Sequence, residues 1–270
     1  MFRRLFSSSR ASRWRPASLP AGQRVYAVGD VHGRLDLLTA LVAQIATDDA
    51  ARNAADSRLI LLGDYVDRGP DSAGVLRYIR ENLLPTGNVT LLRGNHEQYM
   101  LAAYDGNVEA LTAWLRYGGW ETLQSYGVDE GTIEQRNHLT IAAMQAAIPA
   151  ADMELLRGLA VQYRSGDYFF VHAGIRPGTA LDAQSEQDML WIRERFLADD
   201  RDHGVIIVHG HSPTDAPELR RNRIGVDTLA YDSGRLTAVG LEGTERWFVH
   251  TGAPIDPDTA AGEICALINR

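Results

Sequence analysis

Lysine is absent from this sequence of 270 residues, so all 27 of its basic residues are arginine. The absence excludes a phosphate-binding loop of the G-x-x-x-x-G-K-[ST] type, which needs a lysine, and it excludes catalysis through a lysine Schiff base. A phosphorylated ligand could still be held by a few arginines, because a guanidinium group binds phosphate oxygens through two parallel N–H groups.

Cysteine and long apolar runs are scarce as well. The single cysteine, Cys265, lies near the C-terminus, so the chain has no disulfide framework and no zinc site built from cysteine. No apolar run approaches the length of a membrane span, and no long apolar segment of a secretory leader is visible. We therefore expect no membrane partner and a cytoplasmic location.

The net charge of −8 disfavours nucleic acid as a partner, because no basic stripe is present to neutralise a row of phosphates. Apolar residues make up 45% of the chain, which is enough to build a full hydrophobic core. No internal repeat at a fixed period is visible. Together these features predict one large domain of the α/β class.

Residues 1–23 form a basic segment of different composition. Together with Arg24 they contain six arginines and several serines but no acidic residue. Two interpretations stay open: an organellar transit peptide, or a disordered basic tail, which is the one we favour. We predict the folded domain at residues 24–250 and a C-terminal extension at residues 251–270.

Apolar patterns alternate between strand and helix in the first hundred residues. Short buried strands are predicted at residues 24–28, 59–62 and 89–92. Between them, apolar residues recur at the spacing of amphipathic helices. This alternation of strands and helices predicts a parallel sheet at the core of the domain.

The middle of the chain, residues 97–160, has a mostly helical pattern, and we interpret it as a helical insertion within the domain. Strand patterns return at residues 168–171 and 205–208. Residues 224–228 and 236–241 are predicted to form a closing pair of antiparallel strands.

Polar residues follow nearly every predicted strand. They are Asp30, His32, Asp64, Asp67, Arg68, Arg93, Asn95, His96, His172 and His211. Because the carboxyl ends of parallel strands share one edge of a sheet, these side chains are expected to converge in space. Carboxylates, an amide oxygen and several imidazoles make a mixed ligand set that suits Mn, Fe or Zn better than Ca or Mg.

The ligand set is large enough for two ions if one carboxylate bridges them. Two such ions can hold a hydroxide between them and bind a phosphate oxygen on the other side. Nearby arginines would bind the remaining phosphate oxygens. This arrangement favours hydrolysis of a phosphate ester by direct in-line attack of water.

Five short motifs, GDVHG, GDYVDRG, RGNHE, VHAG and HGH, resemble those of the calcineurin-like metallophosphoesterases and occur in the same order. The nearer resemblance is to the PPP-type serine/threonine protein phosphatases, in their small bacterial and phage lambda-phosphatase-like branch, and it runs from about residue 24 to residue 241. It implies an α/β fold with two mixed β-sheets packed as a sandwich and flanked by helices. It also implies a phosphatase for phosphoserine and phosphothreonine, with some action on phosphotyrosine.

The resemblance further implies a role for each motif residue. Six residues match metal ligands of the family: Asp30 and His32 for the first ion, the bridging Asp64, and Asn95, His172 and His211 for the second. His96 matches the general acid that protonates the leaving oxygen, and Asp67 matches the carboxylate that orients it. Arg68, Arg93 and Arg193 match the phosphate-binding arginines. The implied cofactors are two divalent cations, Mn before Fe or Zn, with a bridging hydroxide.

Two other functions stay open at this point. Symmetrical hydrolysis of bis(5'-nucleosyl) tetraphosphates is a related activity on the same fold, but that branch often lacks the counterpart of Asp67 and carries aspartate where this chain has Glu97. An inactive phosphate-binding module is the alternative from another class, and the intact set of ligands, acid and arginines argues against it. The expected partners are a phosphorylated protein or a small phosphoester, with no regulatory subunit.

Several residues have a second interpretation beside the functional one. Arg193 could lie on a solvated helix face with internal ion pairs. His209 could bind metal, but packing beside the site is the role we favour for it. Trp114, Tyr117 and Trp120 are expected to form the core of the helical insertion rather than a substrate platform.

Overall fold

A computed structural model of the chain describes residues 16–252. Its strands are rich in valine, isoleucine, leucine and aromatic residues, which pack well on a pleated surface. In chain order the strands are β1 Gln23–Val28, β2 Asp56–Leu61, β3 Val89–Leu91, β4 Gln162–Ser165, β5 Tyr168–Val171, β6 Ile206–His209, β7 Glu218–Leu219, β8 Arg223–Gly225, β9 Thr237–Glu242 and β10 Glu245–His250.

Helices fill most of the sequence between the strands. In chain order they are α1 Leu35–Ala50, α2 Ser72–Tyr78, α3 Asn95–Tyr104, α4 Val108–Trp114, α5 Trp120–Ser125, α6 Glu130–Glu134, α7 His138–Ala147, α8 Ala150–Arg157, α9 Glu186–Trp191, α10 Glu194–Leu197 and α11 Ala230–Ser233. Within residues 16–252 no single helix has the length and hydropathy to cross a membrane, and α7 and α8 reach those values only when joined across their 99° bend.

The first sheet has five strands in the order β10-β9-β1-β2-β3. Strands β1, β2 and β3 run parallel, which confirms the parallel core sheet predicted from the alternation of strands and helices. Helices α1 and α2 lie in the connections between them, because parallel strands need a crossover connection. Strands β9 and β10 extend the sheet in the antiparallel direction on the other side of β1.

The second sheet has the order β4-β5-β6-β8-β7, with β5, β6 and β8 parallel and β4 and β7 antiparallel at the edges. The predicted antiparallel pairing of residues 224–228 with residues 236–241 is wrong. Strand β8 pairs with β6 in this sheet, whereas β9 pairs with β1 and β10 in the first sheet. An apolar pattern marks a buried strand, but it does not specify the partner of that strand.

Strand β9 also pairs with β10, a strand that the sequence patterns did not reveal. The two strands form a hairpin through Gly243 and Thr244. Gly243 has a φ of 52°, which a two-residue hairpin turn requires and glycine adopts readily. The Gly-Thr pair between two runs of alternating polarity was the available signal.

The two sheets pack face to face over a hydrophobic core. Ala27 of β1 and Val208 of β6 belong to the cluster between the sheets. Residues that alternate with them point the other way: Val28 packs with the helices that cover the first sheet, and Val171 of β5 packs with α9 and α10. The alternation produces a sandwich of two mixed sheets flanked by helices.

The ends of the predicted domain lie partly outside the described residues. Of the predicted N-terminal tail, residues 1–15 lie outside them, but Leu19 is only 3% exposed and packs between the sheets. The backbone N–H of Ser18 also donates to the Asp167 carboxylate at 3.0 Å. The folded domain therefore includes Ser18 and Leu19, which precede its predicted start at residue 24. Of the predicted C-terminal extension, residues 253–270 lie outside the described range, and the remaining domain boundaries stay predictions.

Replacing Leu19 with alanine tests whether this segment is part of the fold. We expect a loss of about 2–4 kcal/mol in the free energy of unfolding, because a fully buried leucine loses transfer energy and leaves a cavity. Urea denaturation followed by circular dichroism measures the change. The control Leu139→Ala removes a leucine that is 61% exposed and should change stability by less than about 0.5 kcal/mol. If Leu19→Ala changed the free energy of unfolding as little as Leu139→Ala does, the Leu19 side chain would not be packed in the core.

Candidate metal centre and active site

The predicted site residues follow the carboxyl ends of parallel strands from both sheets. Asp30 follows β1, Asp64 follows β2, Asn95 follows β3, His172 follows β5 and His211 follows β6. Contacts between these side chains show that the strand ends lie together at one rim of the sandwich. The sequence therefore predicted correctly that residues far apart in the chain converge.

Backbone strain is concentrated at this rim. Seven non-glycine residues of the described chain have a positive φ, and five of them are predicted site residues: His32, Asp64, Asp67, Arg68 and His211. Such conformations are unfavourable for side chains with a Cβ and persist where function requires them. Gly63 has a φ of 113°, and a Cβ there would lie 2.6 Å from the backbone nitrogen of Gly94. The tight backbone fixes the positions of the side chains.

Asp64 lies at the middle of the predicted metal ligands and is buried. Its Oδ2 atom is 3.4 Å from Nε2 of His172, 3.7 Å from Nε2 of His32 and 3.8 Å from Nε2 of His96. Two groups of candidate metal ligands share this carboxylate, one with His32 and His96 and the other with His172 and His211. A bridging carboxylate needs such a shared position.

Hydrogen bonds to backbone carbonyls orient two of these imidazoles. Nδ1 of His32 lies 2.9 Å from the carbonyl oxygen of Val66, and Nδ1 of His172 lies 3.0 Å from that of Leu62. Because a carbonyl only accepts, Nδ1 carries the proton and Nε2 presents a lone pair towards Asp64. Burial lowers the pKa of both imidazoles, which keeps them neutral and able to bind metal.

The chemistry around His172 fits a cation. Its Nε2 lone pair faces Oδ1 of Asn95 at 2.9 Å as well as the Asp64 carboxylate. An imidazole nitrogen, an amide oxygen and a carboxylate thus converge, and their lone pairs face and repel one another. A cation bound between them would attract all three groups. A mixed set of oxygen and nitrogen donors without thiolate suits Mn, Fe or Zn.

Asp30 lies beside these ligands but outside the two groups that share Asp64. The backbone N–H of His211 donates to both of its oxygens at 3.1 Å. Burial and the neighbouring carboxylates of Asp227 and Asp64 raise the pKa of Asp30 well above its usual value. Burial also raises the pKa of Asp227, a residue that we did not predict, to about 6. Three buried carboxylates in one place are a second reason why cations fit here.

His96 is held by Asp67, as the sequence motifs suggested. Nδ1 of His96 lies 2.5 Å from Oδ2 of Asp67, which also accepts the indole N–H of Trp114 at 2.8 Å. The hydroxyl of Thr122 donates to the other Asp67 oxygen at 2.7 Å. Burial alone lowers the pKa of His96, but the carboxylates of Asp64 and Asp67 outweigh it and raise the pKa above its usual value. The two carboxylates therefore favour the protonated form of His96, and Asp67 also orients its ring, as a proton donor needs.

Arg68 lies between a candidate metal ligand and the candidate acid. Its guanidinium nitrogens are 3.2 Å from Nε2 of His32 and 3.2 Å from Nε2 of His96. The ring of Tyr231 lies 4.9 Å from the guanidinium carbon and packs edge-on against His32. Tyr231 was not predicted from the sequence. The position of Arg68 allows it to bind an oxyanion placed over the metal ligands.

The other two predicted phosphate-binding arginines differ from Arg68. Nε of Arg193 donates to Nε2 of His211 at 3.0 Å, so Arg193 reaches the edge of the site. Arg93 instead pairs with Glu186 at 2.9 Å and donates to the carbonyl of Arg157. The phosphate-binding role of Arg93 stays a prediction, since its guanidinium contacts neither the candidate ligands nor His96 among the hydrogen bonds of the described residues.

Glu97 and His209 support the site without joining the ligand groups. Glu97 accepts the backbone N–H groups of Asp64 and Gly94 at 2.9 and 2.8 Å, and so links the ends of two strands. His209 is buried and packs edge-on against Phe196, with ring centroids 5.2 Å apart. This packing agrees with the role that we favoured for His209.

The fold and the ligand groups define a class of enzyme, the metal-dependent phosphoesterases. The sequence model of the calcineurin-like phosphoesterase family matches residues 23–234, and the chain belongs to that family. The match confirms the resemblance carried by the five motifs and identifies the protein as a phosphoesterase of this family.

Two curated relatives and one solved structure show how far the similarity extends. Serine/threonine-protein phosphatase 1 of Salmonella typhimurium is 28% identical over 247 residues, which cover 88% of this chain and 97% of that protein. The symmetrical bis(5'-nucleosyl)-tetraphosphatase of Serratia proteamaculans is 46% identical over 81 residues, 30% of this chain and 26% of that protein. The crystal structure of a protein assigned provisionally as a diadenosine tetraphosphatase aligns with a TM-score of 0.60 at 21% identity, covering 88% of this chain and 100% of the other, and shares the fold.

Proposed function

We propose that this protein hydrolyses phosphate monoesters of serine and threonine side chains in proteins, with some action on phosphotyrosine. The observation that carries the proposal is the arrangement of His96, with one ring nitrogen on Asp67 and the other next to Arg68, beside the ligand groups that share Asp64. A proton donor, an oxyanion-binding group and candidate metal ligands then surround one place where a phosphate can lie.

The proposed cofactors are two divalent cations, Mn before Fe or Zn. His32 and Asp30 would hold the first, Asn95 and two histidines would hold the second, and Asp64 would bridge them. When bound, such ions lower the pKa of a coordinated water and neutralise charge on the phosphate. The neutral state of the ligand imidazoles and the convergence of buried carboxylates support this assignment.

The protein's own residues account for the other parts of the reaction. Arg68 binds two phosphate oxygens, with Arg193 at the edge of the site as a second guanidinium. As the oxygen of water bonds to phosphorus, the bond from phosphorus to the leaving oxygen breaks. His96 donates a proton to that leaving oxygen and regains, through solvent, the proton that the attacking water gives up, while Asp67 keeps the imidazole in place. The products are the free hydroxyl and inorganic phosphate.

Symmetrical hydrolysis of dinucleoside tetraphosphates is the second candidate function. It is favoured by the 46% identity to the Serratia enzyme, but the matched part spans about a quarter of that protein. The similarity to the Salmonella protein phosphatase spans nearly all of both chains. Retention of Asp67 and Glu97 also favours the protein phosphatase.

A substrate panel distinguishes the two functions. With Mn present, kcat/KM for a phosphoserine peptide should exceed that for diadenosine tetraphosphate by at least about tenfold. The same panel repeated with Fe, Zn, Mg and Ni ranks the metals. A tenfold preference for the dinucleotide would reverse the assignment, and no turnover of any ester by folded protein that binds phosphate would indicate an inactive binding module.

A further inference from the structure

Three aromatic side chains, Tyr117, Tyr99 and Trp191, form a continuous row along one side of the candidate centre. The rings of Tyr117 and Tyr99 stack at 18° with centroids 5.8 Å apart, and Trp191 meets Tyr99 edge-on at 5.1 Å. Trp191 in turn lies 6.4 Å from the ring of His211. One end of this aromatic row therefore touches a candidate ligand of the second ion.

The other end of the aromatic row is fixed beside Arg68. The backbone N–H of Arg68 donates to the carbonyl of Gly118 at 3.1 Å, and its Nε lies 3.5 Å from the carbonyl oxygen of Tyr117. Gly118 has a φ of 108°, and a Cβ there would lie 2.6 Å from Cγ of Arg68. These contacts hold the backbone of residues 117 and 118 against Arg68, so the segment that carries the Tyr117 end of the row lies beside that arginine.

The aromatic row is held in place at Trp191 and exposed to solvent at Tyr117. The indole N–H of Trp191 donates to Gln98 at 2.7 Å, which fixes the ring. Tyr99 lies one turn after His96 on α3, so it rises from the same helix face as the candidate acid. Tyr117 is 52% exposed, so part of its ring is open to solvent. Its exposed ring can stack against a second ring.

We propose that the aromatic row binds the ring of a phosphotyrosine side chain, and that Tyr117 favours aryl over alkyl phosphate esters. The inference rests on the proposed function, because it takes Arg68 and His96 as the groups around the reacting phosphate. In an aryl phosphate the ring is bonded directly to the leaving oxygen, so it would lie next to His96, one helical turn before Tyr99 on α3. A serine or threonine side chain has no ring to stack there. The base of a nucleotide is separated from the phosphate by a ribose and would lie farther out.

The test compares two phosphopeptides of identical sequence except for the phosphorylated residue. With the full chain and Mn, Tyr117→Ala should lower the ratio of kcat/KM for the phosphotyrosine peptide to that for the phosphoserine peptide about 3- to 10-fold, mainly through KM. Tyr117→Phe keeps the ring and should keep the ratio. Leu139→Ala, a distant exposed apolar residue, serves as the surface control.

Binding without turnover gives a second readout. Phenylphosphonate should bind more tightly than methylphosphonate in isothermal titration calorimetry, and Tyr117→Ala should reduce that preference by the same factor. An unchanged ratio in both experiments overturns the inference. If Tyr117→Ala lowered kcat/KM only for diadenosine tetraphosphate, that result would also overturn the inference, because the aromatic row would then bind a nucleobase. Failure of the wild-type protein to hydrolyse any phosphopeptide would instead contradict the proposed function.

Discussion

Replacing His96 with alanine should lower turnover of a phosphoserine peptide by roughly 10²- to 10⁴-fold, the usual contribution of a general acid. Turnover of p-nitrophenyl phosphate should fall far less, because its phenolate leaves without needing a proton. The expectation follows from the position of the imidazole, whose Nδ1 lies 2.5 Å from Asp67 and whose Nε2 faces the guanidinium of Arg68. Steady-state kinetics on the two esters measure the difference.

Two further variants separate proton donation from damage to the fold. His138→Ala removes an exposed histidine and should leave both activities unchanged. Asp67→Asn keeps the ring of His96 but removes one of the two carboxylates that raise its pKa. A raised pKa keeps the imidazole protonated to higher pH. The variant lowers that pKa, so the alkaline limb of its kcat/KM profile should shift to lower pH than in the wild type. Equal losses on the two esters in His96→Ala would contradict the role of general acid.

Replacing Asp64 with asparagine should lower kcat/KM on the order of 10³-fold, because the carboxylate belongs to both candidate ligand groups. A bound ion contributes several kcal/mol of stabilisation to the transition state, and each 1.36 kcal/mol corresponds to a factor of ten in rate. The loss should remain at saturating Mn, where a mere decrease in metal affinity would be overcome.

A thermal stability measurement tests the same residue without relying on activity. Wild-type protein treated with a chelator should gain about 2.7 kcal/mol for each site that fills when Mn is added at 100 times its dissociation constant. Asp64→Asn should lose most of this gain. Asp232→Asn removes an exposed carboxylate of α11, the helix that carries Tyr231, and should respond to Mn as the wild type does. Full stabilisation and activity of Asp64→Asn would contradict the bridging role.

The part of the site that could be predicted from the sequence consists of residues placed directly after parallel strands. Asp30, Asp64 and His172 each follow an apolar run, and the edge shared by such strands brings their side chains together. The local sequence thus determines both the strand and the residue at its end. The first three parallel strands could be predicted for the same reason, since apolar periodicity records burial.

The remaining features depend on contacts between distant segments, which periodicity does not record. Trp114 was expected only as insertion core; it is buried, but its indole N–H also holds Asp67, 47 residues earlier in the chain. The role of Tyr231 depends on packing against Arg68, and no motif marks it. Strand β9 was assigned to the wrong partner, because apolar residues suit the inner face of either sheet.

The central claim is that Asp64 joins two cation sites, and anomalous X-ray diffraction from crystals grown with manganese tests it most directly. We expect two anomalous peaks with the Asp64 carboxylate between them, one beside Asp30 and His32 and the other beside Asn95, His172 and His211. A single peak, or peaks that lie away from Asp64 while these side chains stay in place, would contradict the account.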